Sequence, residues 1–379
     1  MKLLINTATT HKGGGVQVAR SFIEECRRFP EHEFHVVLGE MLSELVNQEE
    51  FPANFMFYNI GYRPATRVFS LQSQDQKFRE LEMEIRPDIV FTTTGPAYWR
   101  PKAPHLVGFN RAHHIYRDSP FFSKMSICKK IKWYLKGAVL KYFFKRDADA
   151  YVVQTEDVNR RLQKWLQTDE VYTVSNTFSQ YYESPRNEKN KLPEKTDGEF
   201  RFLTLSAWYP HKNLEIIPDV ITVLPAAIKE RIRFVLTLPE DDYRKHFPEE
   251  MDGTIINIGP VKPEEGPSLY QECDALFLPT LLECFSASYA EAMKMEKPII
   301  TSDLGFAHTI CGDAALYADP MDPHAFAEKI INLVEDPRLQ TTLVQNGIQQ
   351  QRIFATARER AEQYLTICKK LANAENERK

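Results

Sequence analysis

Residues 273–302, CDALFLPTLLECFSASYAEAMKMEKPIITS, decide the fold class. Ala275–Pro279 is a short apolar run opening after Asp274, and Pro298–Ser302 is a second. Between them Ser286–Met295 has helical spacing, with Ser286 placed as an N-cap. Two such runs joined through a helix form a βαβ unit, and strands without polar alternation are covered on both faces of a parallel sheet. Working outward, the alternation continues. Strands are expected at Phe202–Ala207, Arg233–Leu238, Thr254–Ile258 and Ala315–Ala318, with helices at Leu214–Leu224, Ser268–Cys273 and Pro323–Glu335. The first half repeats the design. Its strands are expected at Lys2–Ala8, Phe34–Gly39, Phe55–Ile60, Asp88–Thr93, His105–Asn110, Ala150–Thr155 and Val171–Ser175. Its helices are expected at Val16–Arg28, Val68–Ile85, Ser126–Lys145 and Glu156–Leu166.

This pattern predicts an α/β chain of two facing, Rossmann-like, doubly wound domains with a cleft between them. Residues 1–180 form the first domain and residues 201–355 the second. Residues 181–200, polar and rich in Pro, Asn, Lys and Glu, are read as the linker. Residues 356–379 are read as a C-terminal helix that packs back on the first domain. Ligands of such sheets bind at the carboxyl ends of the strands, so chemistry is sought in the loops that follow them.

The chain has 379 residues and a net charge of −4. Residues 1–180 carry 25 basic and 20 acidic side chains, and residues 181–379 carry 23 and 32. That balance argues against nucleic acid as a partner but allows one basic surface. No apolar run is long enough to span a bilayer, and Met1–Asn6 lacks the features of a signal peptide. The six cysteines are scattered without a CxxC, which fits a reducing, cytoplasmic setting and no structural zinc.

Three constellations stand in post-strand loops. Thr10-His11-Lys12-Gly13-Gly14-Gly15 joins the first strand to an amphipathic helix, where glycines let a ligand approach the backbone and free N–H groups meet an anion. It is not G-x-G-x-x-G, so a dinucleotide is disfavoured. Glu283 and Glu291, with Phe285-Ser286-Ala287 between them, place two carboxylates around a helix N-terminus. The N–H groups suit phosphate oxygens and the carboxylates suit sugar hydroxyls. Asn110-Arg111-Ala112-His113-His114 follows the strand at His105–Asn110, so His113 and His114 are expected to face the cleft. A metal is not expected: Asp147-Ala148-Asp149 alone has Asp-x-Asp spacing, and it sits ahead of a strand as a solvated turn.

The E-x7-E segment resembles the nucleotide-sugar motif of the retaining glycosyltransferases of family 4, the group 1 transferases of GT-B fold. Ser206-Ala207-Trp208-Tyr209-Pro210-His211-Lys212-Asn213-Leu214 is similar to that family's basic phosphate segment. The resemblance implies metal-independent transfer from a UDP-, GDP- or ADP-sugar to a polysaccharide, lipopolysaccharide or lipid-linked acceptor, with no bound cofactor. It implies that Glu291 holds the ribose and Glu283 the donor sugar. Lys212, with His211, Asn213, Gly14 and Gly15 and the backbone at Phe285, Ser286 and Ala287, would serve the diphosphate and substrates. One of His113 and His114 would stand near the reacting carbon. Three positions depart from the pattern. Ala207 stands where relatives often carry arginine, with His211 as a candidate source of compensating charge or hydrogen bonds. Ala307-His308-Thr309 lacks an acidic residue, and Glu296 replaces a glycine. The competing readings are a GT-B epimerase, a phosphorylase, or a non-catalytic sugar-nucleotide-binding or membrane-docking protein.

Residues 124–146 hold eight basic side chains and no acidic one, interleaved with aromatics. The expectation is a sheet-covering helix whose basic face makes peripheral contact with the inner face of the cytoplasmic membrane.

Overall fold

The computed structural model describes residues 1–11, 13–67, 76–184, 191–251 and 253–377. Lys12, the start of the expected helix Val68–Ile85 and residues 185–190 of the expected linker lie outside the described residues.

The expected strands are all present, most of them ending early because their last residues turn into the loops. The first sheet holds β1 (Lys2–Asn6), β2 (Glu33–Leu38), β3 (Phe55–Asn59), β4 (Ile89–Thr92), β5 (His105–Gly108), β6 (Ala150–Val153) and β7 (Val171–Thr173). Their order is β3-β2-β1-β4-β5-β6-β7, and every pairing is parallel. The second sheet holds β8 (Phe200–Thr204), β9 (Ile232–Leu236), β10 (Ile255–Asn257), β11 (Ala275–Leu278), β12 (Ile299–Ser302) and β13 (Ala315–Ala318). Its order is β10-β9-β8-β11-β12-β13, again all parallel. In each sheet the order reverses beside the first strand, so the loops after β1 and β4, and those after β8 and β11, open side by side. That reversal is where doubly wound sheets take ligands. Several helices escaped the sequence reading, among them Glu240–His246, Gly305–Cys311 and Pro337–Gln350. The first two are only seven residues each, too short for a clear period.

The chain divides into two compact units, Met1–Tyr116 with Ser126–Asn176 and Ala355–Lys379, and Arg117–Met125 with Thr177–Phe354. The core of the first unit packs Phe22, Phe34, Val36, Phe91 and Leu106 with Tyr364, Leu365 and Cys368 of the helix Ala357–Asn376. That helix opens on a capping box between Thr356 and Glu359. Its buried Arg360 donates to Asn176 Oδ1, and at 2.8 Å to Ser21 Oγ. The core of the second unit packs Phe202, Phe234, Leu236, Phe277, Ile300 and Phe326.

Three expectations are corrected. The chain passes from one unit to the other at Asn176 and Thr177 rather than within residues 181–200. Tyr182 and Leu192 are buried, the Leu192 N–H donates to Glu272 Oε2 at 3.2 Å, and Lys195 Nζ holds Asp274 at 2.6 Å. A polar composition there marks exposure, not absence of contacts. Asp147-Ala148-Asp149 is a solvated turn only at Asp149, which is exposed. Asp147 is buried beneath Arg146 Nε at 2.5 Å, and Asp149 Oδ2 accepts the His105 N–H at 2.9 Å. The basic helix spans Ile127–Asp147, and Lys124 falls in the other unit, where its ammonium is 3.0 Å from Glu215 Oε1.

Candidate functional site

In the C-terminal unit the reversal between β8 and β11 brings two distant loops together. The Leu281 N–H donates to His211 O at 2.7 Å, and the Thr280 hydroxyl donates to the same carbonyl at 3.1 Å. Held in this frame, Lys212 Nζ lies 2.5 Å from Glu283 Oε1, and the Thr280 hydroxyl reaches that oxygen at 3.2 Å. The pair is mostly shielded, with side chains 13% and 12% exposed. A charge-assisted contact of this kind is strong because little water competes for it. Asn213 is fully buried in a left-handed conformation (φ 57). Its amide donates to Pro320 O at 2.9 Å, and its Oδ1 accepts from Lys124. It therefore fixes the backbone that carries Lys212.

His211 does not supply the charge missing at Ala207. Burial, and then the Lys212 ammonium, push its imidazole down to about 4, so it is neutral at pH 7. Its ring stacks beside Tyr209 at 5.5 Å.

Ser286 stands at the N-cap of the helix Ala287–Lys294, but its side chain makes no capping bond. The N–H groups at Phe285–Ala287 open this helix, and the Phe285 ring meets Phe354 edge-on at 5.9 Å. Glu291 lies further along it. Burial pushes the Glu291 carboxyl up to about 7, against the opposing pull of a Tyr182 hydrogen bond and the Lys212 charge. Lys212 thus acts on both carboxylates of the E-x7-E pair. Tyr182, buried at the end of the short helix Gln180–Tyr182, is a site residue that the sequence did not reveal. It sits in the supposed linker and belongs to no motif. A Cβ on Gly266 would stand 2.2 Å from the Tyr182 hydroxyl, so that position requires glycine.

The departures acquire physical meaning. Glu296 has φ 56, the left-handed region that glycine adopts without cost and other residues enter at about 1–2 kcal/mol. The Thr309 hydroxyl bonds back to Gly305 O at 2.8 Å. Beside it, His308 Nε2 meets Asp303 Oδ1 at 2.6 Å and stacks on Tyr317, so an acidic group stands near a segment whose own sequence lacks one.

In the N-terminal unit the loops after β1, β4 and β5 and the basic helix enclose a cavity of about 290 Å³, lined among others by Thr10, Gly15, Asn110, His113, His114 and Lys136. The wall after β1 is braced from below. Thr7 Oγ1 donates to Val37 O at 2.8 Å, and Asn6 Oδ1 accepts the Ala8 N–H at 3.1 Å. Gly13 (φ 63) caps the helix Gly14–Cys26. A Cβ on Gly15 would come within 3.3 Å of Asn110 Nδ2, whereas one on Gly14 would meet nothing within 4 Å. Both histidines line the cavity, with different settings. His113 is half-buried and stacks on Trp133 at 4.8 Å. His114 is buried beside Trp133 and Trp165. Arg111 Nε donates to Gly95 O at 3.0 Å. Among the described residues no cluster of His, Cys, Asp or Glu is placed to hold a metal ion.

A lysine paired with Glu283, whose charge also reaches the buried Glu291, suits an anionic, hydroxyl-rich ligand at the mouth of a doubly wound sheet. Residues 185–350 match the family model described as Glycosyl transferases group 1. The matched segment contains Lys212, Glu283 and Glu291. The chain is 28% identical over 160 residues to O-antigen chain mannosyltransferase B of Escherichia coli, covering 40% of this chain and 42% of that protein. The chain therefore aligns with less than half the length of that relative. Among solved structures, sucrose-phosphate synthase of Thermosynechococcus elongatus superposes with a TM-score of 0.72 at 12% identity, over 99% of this chain and 100% of that one. HepE of Anabaena, in complex with UDP-glucose, superposes with a TM-score of 0.67 at 15% identity over all of both chains. The fold is GT-B.

Proposed function

We propose that the chain is a retaining glycosyltransferase that moves a sugar from a nucleotide-diphosphate sugar to a polysaccharide, lipopolysaccharide or lipid-linked acceptor without a metal. The observation that carries this reading is the Lys212–Glu283 contact beside the start of the helix bearing Glu291. The group 1 match and the O-antigen mannosyltransferase relative support it. In this reading the Lys212 ammonium and the N–H groups at Phe285–Ala287 neutralise the leaving diphosphate. Glu291 accepts hydrogen bonds from the ribose, and Glu283 from the donor sugar. The cavity with Gly15, His113 and His114 takes the acceptor. Attack comes on the face from which the diphosphate leaves: the acceptor oxygen bonds to the anomeric carbon, the carbon–phosphate oxygen bond breaks, and the departing phosphate takes the acceptor proton. The direct test is a thermal-shift screen against UDP-, GDP- and ADP-sugars, GDP-mannose included. It is followed by product analysis with and without a chelator, reading the anomeric configuration. Transfer that stops on chelation, or an inverted product, rules out this mechanism.

Glu291 makes donor binding pH-dependent. Its carboxyl is raised to about 7 in the free protein, so it is increasingly protonated below that pH. The ionised carboxylate is the stronger acceptor for the ribose hydroxyls, and protonation weakens that contact. Donor affinity is therefore expected to hold above about pH 7 and to fall below it by up to about tenfold per unit. Tyr182→Phe removes a hydrogen bond that favours ionisation, and should move the midpoint upward. Calorimetric titration of the nucleotide sugar across pH checks both, and Glu291→Gln should flatten the profile. A flat profile in the unmodified protein would remove Glu291 from the ribose site.

A further inference from the structure

The helix Ile127–Asp147 has two apolar faces where a sheet-covering helix needs one. Gly137, Leu140 and Phe144 are buried against the N-terminal unit. On the opposite side Ile127, Ile131, Leu135, Val139 and Tyr142 are 75%, 55%, 59%, 46% and 60% exposed. They follow each other at four- and three-residue intervals, so they form a single row about 22 Å long. Of the twelve large hydrophobic side chains exposed among the described residues, six lie on this helix, which makes a patch rather than scatter. At 3.6 residues per turn, Lys132 borders the row on one side and Lys130, Lys141 and Lys145 on the other. From Ser119 to Arg146 the sequence has no acidic residue. No helix among the described residues is long and apolar enough to cross a membrane.

We infer that this outer face is a docking surface for an anionic lipid bilayer, with the apolar row entering the headgroup boundary and the flanking lysines meeting lipid phosphates. An apolar stripe edged by lysines is the composition of helices that lie in the interface plane. A second copy of the chain fits poorly. A two-fold contact sets each patch against itself, so lysine would face lysine with no carboxylate to neutralise it. Protein interfaces are also depleted in lysine at their cores. The inference stands apart from the sugar-transfer reading, because its readout is binding alone.

The test is co-sedimentation of the full chain with phosphatidylcholine vesicles, with and without phosphatidylglycerol, at low and high salt. The chain should partition onto the phosphatidylglycerol vesicles and be released by salt. Lys130→Ser/Lys132→Ser/Lys141→Ser should lose about 100-fold, from about fivefold per lysine. Ile131→Ser/Leu135→Ser should lose binding while its melting temperature is unchanged, since both side chains are exposed. Equal binding to both vesicles, or binding to neither, overturns the inference. So does a concentration-dependent dimer in sedimentation velocity that the double serine variant abolishes.

Discussion

Glu283→Ala is expected to lower sugar transfer by about 10²–10³-fold, the loss typical when one group preorganised at a reacting centre is removed. Two effects combine. The donor sugar loses an acceptor for its hydroxyls, and the Lys212 ammonium, only 13% exposed, loses the carboxylate 2.5 Å away. A shielded ammonium without that partner will relocate or bind an adventitious anion, so Glu283→Ala perturbs the diphosphate site as well. Lys212→Ala should weaken donor binding directly, by removing the cation nearest the proposed diphosphate position. Because the two side chains are in contact, their effects will not add, and the Glu283→Ala/Lys212→Ala protein should be less impaired than the product of the single losses. Steady-state kinetics on the three variants, with donor affinity measured separately, decides the matter. Full turnover in both single variants would place the chemistry elsewhere.

Tyr364→Ala is expected to destabilise the N-terminal unit by about 3–5 kcal/mol, the range for removing a large buried aromatic side chain. Its ring packs edge-on to Phe22 at 5.3 Å and tilted to Phe91 at 5.2 Å, so it joins the C-terminal helix both to the helix Gly14–Cys26 and to β4. The helix Gly14–Cys26 begins at the glycine loop that walls the cavity, so loosening its packing should also blur that wall. Two units need not unfold together, and the unit-specific readout is amide exchange in β1, β4 and the C-terminal helix. Protection lost in these elements and retained in β8 and β11 is the expected pattern. Uniform loss in both sheets, or no change, would mean that Tyr364 does not hold the first unit's core.

Much of the fold was legible because strand and helix leave different periods. The run Ala275–Leu278, the helix after it and Ile299–Ser302 are readable as a βαβ unit without tertiary information. The helix ending at Ile85 was legible in kind but not at its start, which lies outside the described residues. Of the site, Lys212 and Glu283 were legible because they fall in post-strand loops, and Glu291 because it lies on the helix that follows, all three matching a family pattern. Tyr182 was not, since a single tyrosine in a polar stretch carries no signal of the carboxylate it will meet. The neutrality of His211 was equally invisible, because it depends on how much protein surrounds the ring.

The sequence alone determined two α/β units, the post-strand loops that carry polar residues, and the excess of cations between Lys124 and Arg146. Tertiary structure decided which of those residues meet. Lys212 and Glu283 are 71 positions apart and touch because β8 and β11 are neighbours in the sheet, an order that local periodicity does not encode. It also decided which apolar side chains of Ile127–Asp147 are covered. A helix with apolar residues on both sides has no preferred inward face until packing against Leu140 and Phe144 selects one and leaves Ile131 and Leu135 in water.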